Sequence, residues 1–252
     1  MILAFTKSPA RRLATVGLVA VMFAGCSTPA VTASPSPSAL PTVPPTAPAY
    51  TLGPTMSPSG AADACPTSTP PAFSGKATVT MTTNFGDIVI AVDGSLGANA
   101  AGAFMALTRC GYYNNVIFHR VIPGFVVQAG DGTNARLPEA KLNCDMGSGG
   151  PSWTIQDDKV TSTYKRGTIS MARTSAANSG SSQFFIVLTD SASSVLGAST
   201  ANNYAIFGDV TKGMDVVDAI AAVPTGGDPC NGSTSEASIP LEPIVITSTI
   251  VS

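Results

Sequence analysis

Phe118-His119-Arg120-Val121-Ile122-Pro123-Gly124-Phe125-Val126-Val127-Gln128-Ala129-Gly130-Asp131 is the stretch on which the fold turns. Its apolar, β-branched character begins at Val116, and Pro123-Gly124 interrupts it midway. Such side chains suit a pleated surface and Pro-Gly is turn chemistry, so the run predicts two extended segments around a tight connection. Toward the N-terminus, Asn99–Cys110 carries Ala103, Phe104 and Leu107 at helical spacing, and Gly111 suits the position just past a helix end. Before it, Ala77–Thr83 alternates, with Val79 and Met81 on one face. Asn84-Phe85-Gly86-Asp87 reads as a turn and Ile88–Val92 as a returning strand, which makes a hairpin.

Toward the C-terminus, Thr168–Ala172, Phe184–Leu188, Tyr204–Val210 and Ile244–Val251 are short apolar strands. Met214–Val223 places Val216, Val217 and Ile220 at helical spacing. Seven or eight short, turn-separated strands with two helices and little strand–helix alternation predict a mainly β domain. An antiparallel barrel or sandwich with helices packed outside fits that pattern.

Composition bounds the rest. The chain has 252 residues, a net charge of −2 and only 11% charged residues. Its thirteen basic residues are scattered, which argues against nucleic acid, because phosphates demand clustered Lys and Arg. Twelve of the twenty prolines lie between Ser27 and Gly75, a stretch whose one charged residue is Asp63. So little apolar surface cannot offset ordering entropy, so residues 26–75 read as a disordered Pro/Ser/Thr-rich linker and residues 76–252 as the folded domain.

The first 25 residues read as an export signal. Lys7, Arg11 and Arg12 are its basic start, and the apolar run Leu13–Phe23 is too short to span a bilayer comfortably. The run ends in Phe23-Ala24-Gly25-Cys26, which resembles the bacterial lipobox, although Phe23 stands where Leu is usual. That resemblance implies a diacylated Cys26 as lipid anchor and a domain held by its stalk at the extracytoplasmic face of the cell membrane. Cys65, Cys110, Cys144 and Cys230 remain, an even count that suggests two disulfides in an exported protein. Three pairings are open; the preferred one joins Cys65 with Cys230 and Cys110 with Cys144. The cysteines lack a CxxC spacing and the chain has one His, so no metal is expected.

The opening stretch is one of four motifs in order. Gly167-Thr168-Ile169-Ser170-Met171-Ala172-Arg173-Thr174, Ser182-Gln183-Phe184-Phe185-Ile186 and Tyr204-Ala205-Ile206-Phe207-Gly208 follow it. Together they resemble the cyclophilin family of peptidyl-prolyl cis-trans isomerases over nearly all of residues 76–252. The resemblance implies an eight-stranded antiparallel barrel capped by two α-helices, acting without a cofactor, as a monomer, on proline-containing polypeptides. A non-catalytic proline-peptide-binding or holdase module is the alternative.

The chemistry has its own logic. Rotation about Xaa-Pro must break amide resonance, a barrier of roughly 18–20 kcal/mol, yet moves no proton and cuts no bond. A catalyst therefore needs an apolar slot for the ring, a donor for the proline nitrogen as it recovers its lone pair, and exclusion of water. Arg suits the donor role because its guanidinium is a rigid, charged fork. Arg120 matches the family's catalytic Arg. Phe125, Val126 and Phe185 match the proline pocket, and Gln128 matches a residue that bonds substrate backbone. Ala172 and Arg173, with Thr174 beside them, match the segment that pairs with substrate, Gln183 matches a pocket-edge polar residue, and Tyr204 stands where animal relatives carry His. Phe184 is expected in the core, opposite to Phe185. His119 could serve a hydrolase only with a nucleophile elbow, which is missing, so it reads as structural.

Four departures from the family matter. Val126 replaces a common Met, and Arg173 replaces the Asn of animal relatives. The aromatic rim residue that contacts cyclosporin in the family has no clear counterpart, with Val195 or Leu196 nearest, so cyclosporin should inhibit weakly. The segment 132–147 is longer than usual and carries Cys144.

Overall fold

Alternating Val79, Met81, Ile88, Ile90 and Val92, all buried, fold the hairpin at the head of the domain. In the computed structural model it comprises β1 (Lys76–Thr83) and β2 (Gly86–Asp93), paired antiparallel from Lys76–Asp93 to Thr83–Gly86. The structure describes residues 48–49, 51, 64–138, 145–197, 204–226 and 238–252. Helix α1 (Ala98–Arg109) follows, then β3 (Arg120–Ile122), β4 (Val126–Ala129), β5 (Thr168–Met171) and β6 (Phe184–Val187). A one-turn helix α2 (Ser193–Leu196), β7 (Ile206–Lys212), helix α3 (Met214–Ala221), the two-residue pair β8 (Thr225–Gly226) and β9 (Ile239–Pro240), and β10 (Ile246–Val251) complete it.

Eight strands form one antiparallel sheet in the order β10-β1-β2-β7-β5-β6-β4-β3. The sheet curls until its edges meet: Ile117 bridges Val245, and the Phe118 N–H donates to the Ile244 carbonyl at 2.8 Å. Curling turns one face inward, and the period of two sends alternate residues there. Val127, Ala129, Phe184 and Ile186 enter the main core; Val126, Phe185 and Val187 face the other way and build a second apolar cluster. Phe184 is thus core and Phe185 is not, as alternation predicts.

Two longer helices pack on this sheet. Phe104 of α1 stacks against Tyr113, Phe184 and Phe207, with ring centroids 4.9–5.5 Å apart. Gly111 follows α1 at φ +72°, and the N–H groups of Gly111 and Tyr112 return to the carbonyls of Thr108 and Leu107. That is the left-handed stop expected of glycine after a helix. At the other end, the Asp158 carboxylate accepts from the N–H groups of Asn99 and Ala100 at 3.1 and 2.9 Å. A cap from a distant loop satisfies two orphan donors, a contribution of about 1 kcal/mol. Helix α3 buries Val217 and Ile220.

Two expectations need correction. The ordered domain starts before residue 76: residues 64–75 lie along α1 as a strap. Phe73 N–H donates to the Ala98 carbonyl, the Trp153 indole to the Pro66 carbonyl, and Thr69 to the Thr154 carbonyl. A Cβ on Gly102 would stand 2.3 Å from the Pro71 carbonyl, so only glycine lets the strap cross there. Composition misread the strap because its stabilisation comes from tertiary contacts, not from its own apolar content. The preferred cysteine pairing is also overturned, since Cys65 bonds Cys110. The strap carries Cys65 to the last turn of α1, a proximity with no signature in spacing. Cys144 and Cys230 lie outside the described residues, as do Cys26 and residues 1–25. Among the described residues no helix is long and apolar enough to cross a membrane.

Candidate functional site

Strand register assembles the site. Arg120 pairs with Gln128 across β3 and β4, and Gln128 pairs with Phe185 across β4 and β6. One cross-strand row therefore carries Arg120, Gln128 and Phe185 on the outward face, with Val126 two residues from Gln128. Pro123 and Gly124 form the turn between β3 and β4 and set Phe125 at its edge. The one-turn helix α2 supplies Leu196 and Val195, and the segment just before β7 supplies Tyr204.

These residues line a cleft of about 420 Å³ together with Ala172 and Arg173. Its floor is apolar: Val126, Phe185 and Leu196 are buried, and the Tyr204 ring meets Phe185 edge-on at 5.3 Å. Tyr204 is fixed through its backbone, because the Tyr164 hydroxyl donates to its carbonyl and accepts from its N–H, both at 2.9 Å. Burial raises the Tyr164 hydroxyl above its ordinary pKa, which keeps it protonated for that task. Val195 is 65% exposed at the rim.

Arg120 is half-buried beside this floor, and its Nη1 reaches Gln128 Oε1 at 3.5 Å, a long contact. Gln128 donates to Gln183 Oε1 at 3.0 Å, and Gln183 donates onward to the carbonyls of Gly147 and Gly149 at 2.9 and 2.8 Å. A polar chain thus runs from the guanidinium along the groove to the returning end of the 132–147 segment. Asp131, fully buried, anchors both ends of that segment. Its carboxylate accepts four backbone N–H groups, from Thr133, Asn134, Gly147 and Gly149, at 2.8–3.1 Å. Residues 139–144 between them lie outside the described residues.

A second cavity of about 390 Å³ adjoins the cleft and shares Gln128, Ala172 and Arg173 with it. Thr174 and Gln183 lie here rather than in the cleft, with Gly147, Ser148, Gly149, Ser179 and Ser181. Of the residues expected at the site, Arg120, Phe125, Val126, Gln128, Ala172, Arg173, Phe185, Leu196 and Tyr204 share the first cavity. The side chain of Arg173 is held by partners outside the four motifs. It turns to Asp157 at 3.4 Å and donates to the Ala176 carbonyl at 2.8 Å. Asp157, Tyr164 and the anchoring role of Asp131 were missed. An acidic pair at 157–158 in a sparsely charged chain was the available clue to the first; Tyr164 had none.

His119 is 4% exposed. Burial, reinforced by the Arg120 charge and opposed by Asp131, lowers its pKa to about 4. The ring is neutral and sealed from the groove floor, which suits packing and not proton transfer.

Comparison with known proteins agrees with this geometry. The profile of the family described as cyclophilin type peptidyl-prolyl cis-trans isomerase matches residues 78–251. A peptidyl-prolyl cis-trans isomerase of Acinetobacter baylyi is 41% identical over 148 residues, 58% of this chain and 73% of the relative. Peptidyl-prolyl cis-trans isomerase B of Escherichia coli is 35% identical over 179 residues, 69% of this chain and 99% of the relative. Among solved structures, a cyclophilin type isomerase of Cryptosporidium parvum in the presence of the dipeptide Ala-Pro is 27% identical, with TM-score 0.52. It matches over 69% of this chain and 98% of its own.

Proposed function

The chain belongs to the cyclophilin-type peptidyl-prolyl cis-trans isomerase family, and from that premise we propose how its groove turns an Xaa-Pro bond. The protein is a peptidyl-prolyl cis-trans isomerase, and the co-location of Arg120 with an apolar floor of Val126, Phe185 and Leu196 carries the assignment of the work to particular residues.

The proline ring occupies the cleft, where burial of apolar surface holds it and removes water from the imide. Gln128 and the backbone of Ala172 and Arg173 hold the flanking peptide. As the bond twists, the imide nitrogen becomes pyramidal and basic, and Arg120 donates to it. Planar ground states offer no such lone pair, so the interaction strengthens only toward the transition state and lowers the barrier. The long Arg120–Gln128 contact leaves the guanidinium with donors to spare for the substrate. No proton transfer is required, consistent with a neutral, buried His119.

The test is line-broadening NMR of a Pro-containing peptide with the protein and with Arg120→Ala. The expected loss is about a hundredfold to a thousandfold in kcat/KM, the scale for losing one transition-state donor. Equal rates for the two proteins would refute the role of Arg120, and binding without exchange in the wild type would make the groove a proline-peptide holder.

The substrates are read as exported polypeptides, and the domain as a monomer tethered to the extracytoplasmic membrane face through a lipid on Cys26. The support is the basic-then-apolar start of the chain, the small residues before Cys26 and the Pro-rich stretch behind it. A disulfide in the domain is compatible with an oxidising compartment.

A further inference from the structure

Arg173 lines both cavities of the groove, yet its side chain is only 9% exposed and is held from behind. Its Nη2 lies 3.4 Å from Asp157 Oδ2 and donates to the Ala176 carbonyl at 2.8 Å. Asp157 is itself fixed. Its N–H donates to Asn178 Oδ1, and its Oδ2 accepts from the Asn178 N–H, both at 2.9 Å. Two residues earlier, the Ile155 N–H donates to the Gly180 carbonyl at 2.9 Å. The void behind the guanidinium, lined by Ile155, Asp157 and Gly180, is about 10 Å³, room for one water at most.

We propose that Asp157 is a specificity-determining residue of this groove: it neutralises Arg173 and keeps it back against the 174–180 loop, so that charged residues of either sign can flank the proline. The proposal rests on the isomerase reading of the groove. Arg173 is the one ionisable residue among the described residues that line the polar cavity, so its neutralisation governs the charge they present there. A guanidinium stripped of its carboxylate does not stay buried, because an unpaired buried charge is costly. The guanidinium already lines both cavities, so its uncompensated charge acts on the groove. There it attracts a carboxylate and repels an ammonium on the bound peptide. At 6–8 Å in a water-exposed groove, the combined bias is about threefold to tenfold.

The experiment uses the full chain and proline peptides carrying Glu, Ala or Lys at each position within two residues of the proline. kcat and KM are measured for wild type, Asp157→Ala, Asp157→Asn and the double variant Asp157→Ala/Arg173→Ala, with circular dichroism to establish folding. In Asp157→Ala, the KM for Glu peptides is expected to fall relative to Lys peptides by about threefold to tenfold against the wild-type ratio, with the kcat ratio unchanged. Asp157→Asn should shift it in the same direction, and carries the test alone if the alanine variant fails to fold. The double variant should return the ratio to wild type. A uniform change across all peptides, an unchanged ratio, or a bias that survives loss of Arg173 overturns the proposal. If the wild type turned over none of the peptides, the isomerase reading would fail, and peptide affinities from NMR titration would decide the charge bias by the same comparison.

Discussion

Arg120 and His119 are neighbours in sequence with opposite fates. Strand alternation sends Arg120 to the groove and His119 into the interior, where it is 4% exposed. His119 takes a proton near pH 4 in the fold, whereas an ordinary His does so near 6.5. Because the folded pKa is the lower one, the unfolded chain binds the extra proton. Stability from this group is whole above pH 6.5 and is lost as the pH falls toward 4. The loss is on the order of 3 kcal/mol. Urea midpoints at pH 7 and 4.5 check this: His119→Gln should show a smaller fall than wild type. Equal falls in both proteins would rule out His119 as the titrating group. At the same scale, the sequence reading located Arg120, Phe125, Gln128 and Phe185 because motif and alternation agree. It placed Arg173 in the groove but not the partner of its side chain, Asp157, sixteen positions earlier and joined to it by tertiary folding alone.

Among the elements, the strap at 64–75 is the one that composition hid. Its anchor, the Cys65–Cys110 bond, closes a separation of 45 residues. Restricting the unfolded chain over that span is worth about 4 kcal/mol. Cys65→Ser is therefore expected to lower the urea midpoint markedly while leaving kcat for a proline peptide within about twofold, because the strap does not line the groove. Unchanged midpoints in the presence and absence of reductant would show that the bond contributes nothing. The strands behaved differently. The hairpin of β1 and β2, the Pro-Gly turn between β3 and β4, and Gly111 after α1 were legible, since each is set by residues adjacent in sequence. The one-turn helix at Ser193–Leu196 and the two-residue pair of β8 with β9 carry too few residues to show a period, and neither was predicted.

For the molecule as a whole, the segment before the strap is read by chemistry alone. Cys26→Ser should move the expressed protein from the membrane fraction to the soluble fraction while its isomerase activity persists. Membrane retention of that variant would refute the lipid anchor. The mainly β architecture was readable along the chain because it depends on local period and short motifs. The family resemblance implied eight antiparallel strands, whereas their order and the join of Ile117 to Val245 appear only in the folded sheet. The amino-acid sequence by itself determined the longer strands and helices and which residues belong to the isomerase motif, because those follow from neighbours within a few positions. The tertiary structure alone decided that Cys65 meets Cys110, that Asp131 gathers both ends of a long loop and that Asp157 holds Arg173. The long-range contacts among them join residues 16 to 45 positions apart, and burial and hydrogen-bond satisfaction in the folded domain, not local propensity, select them.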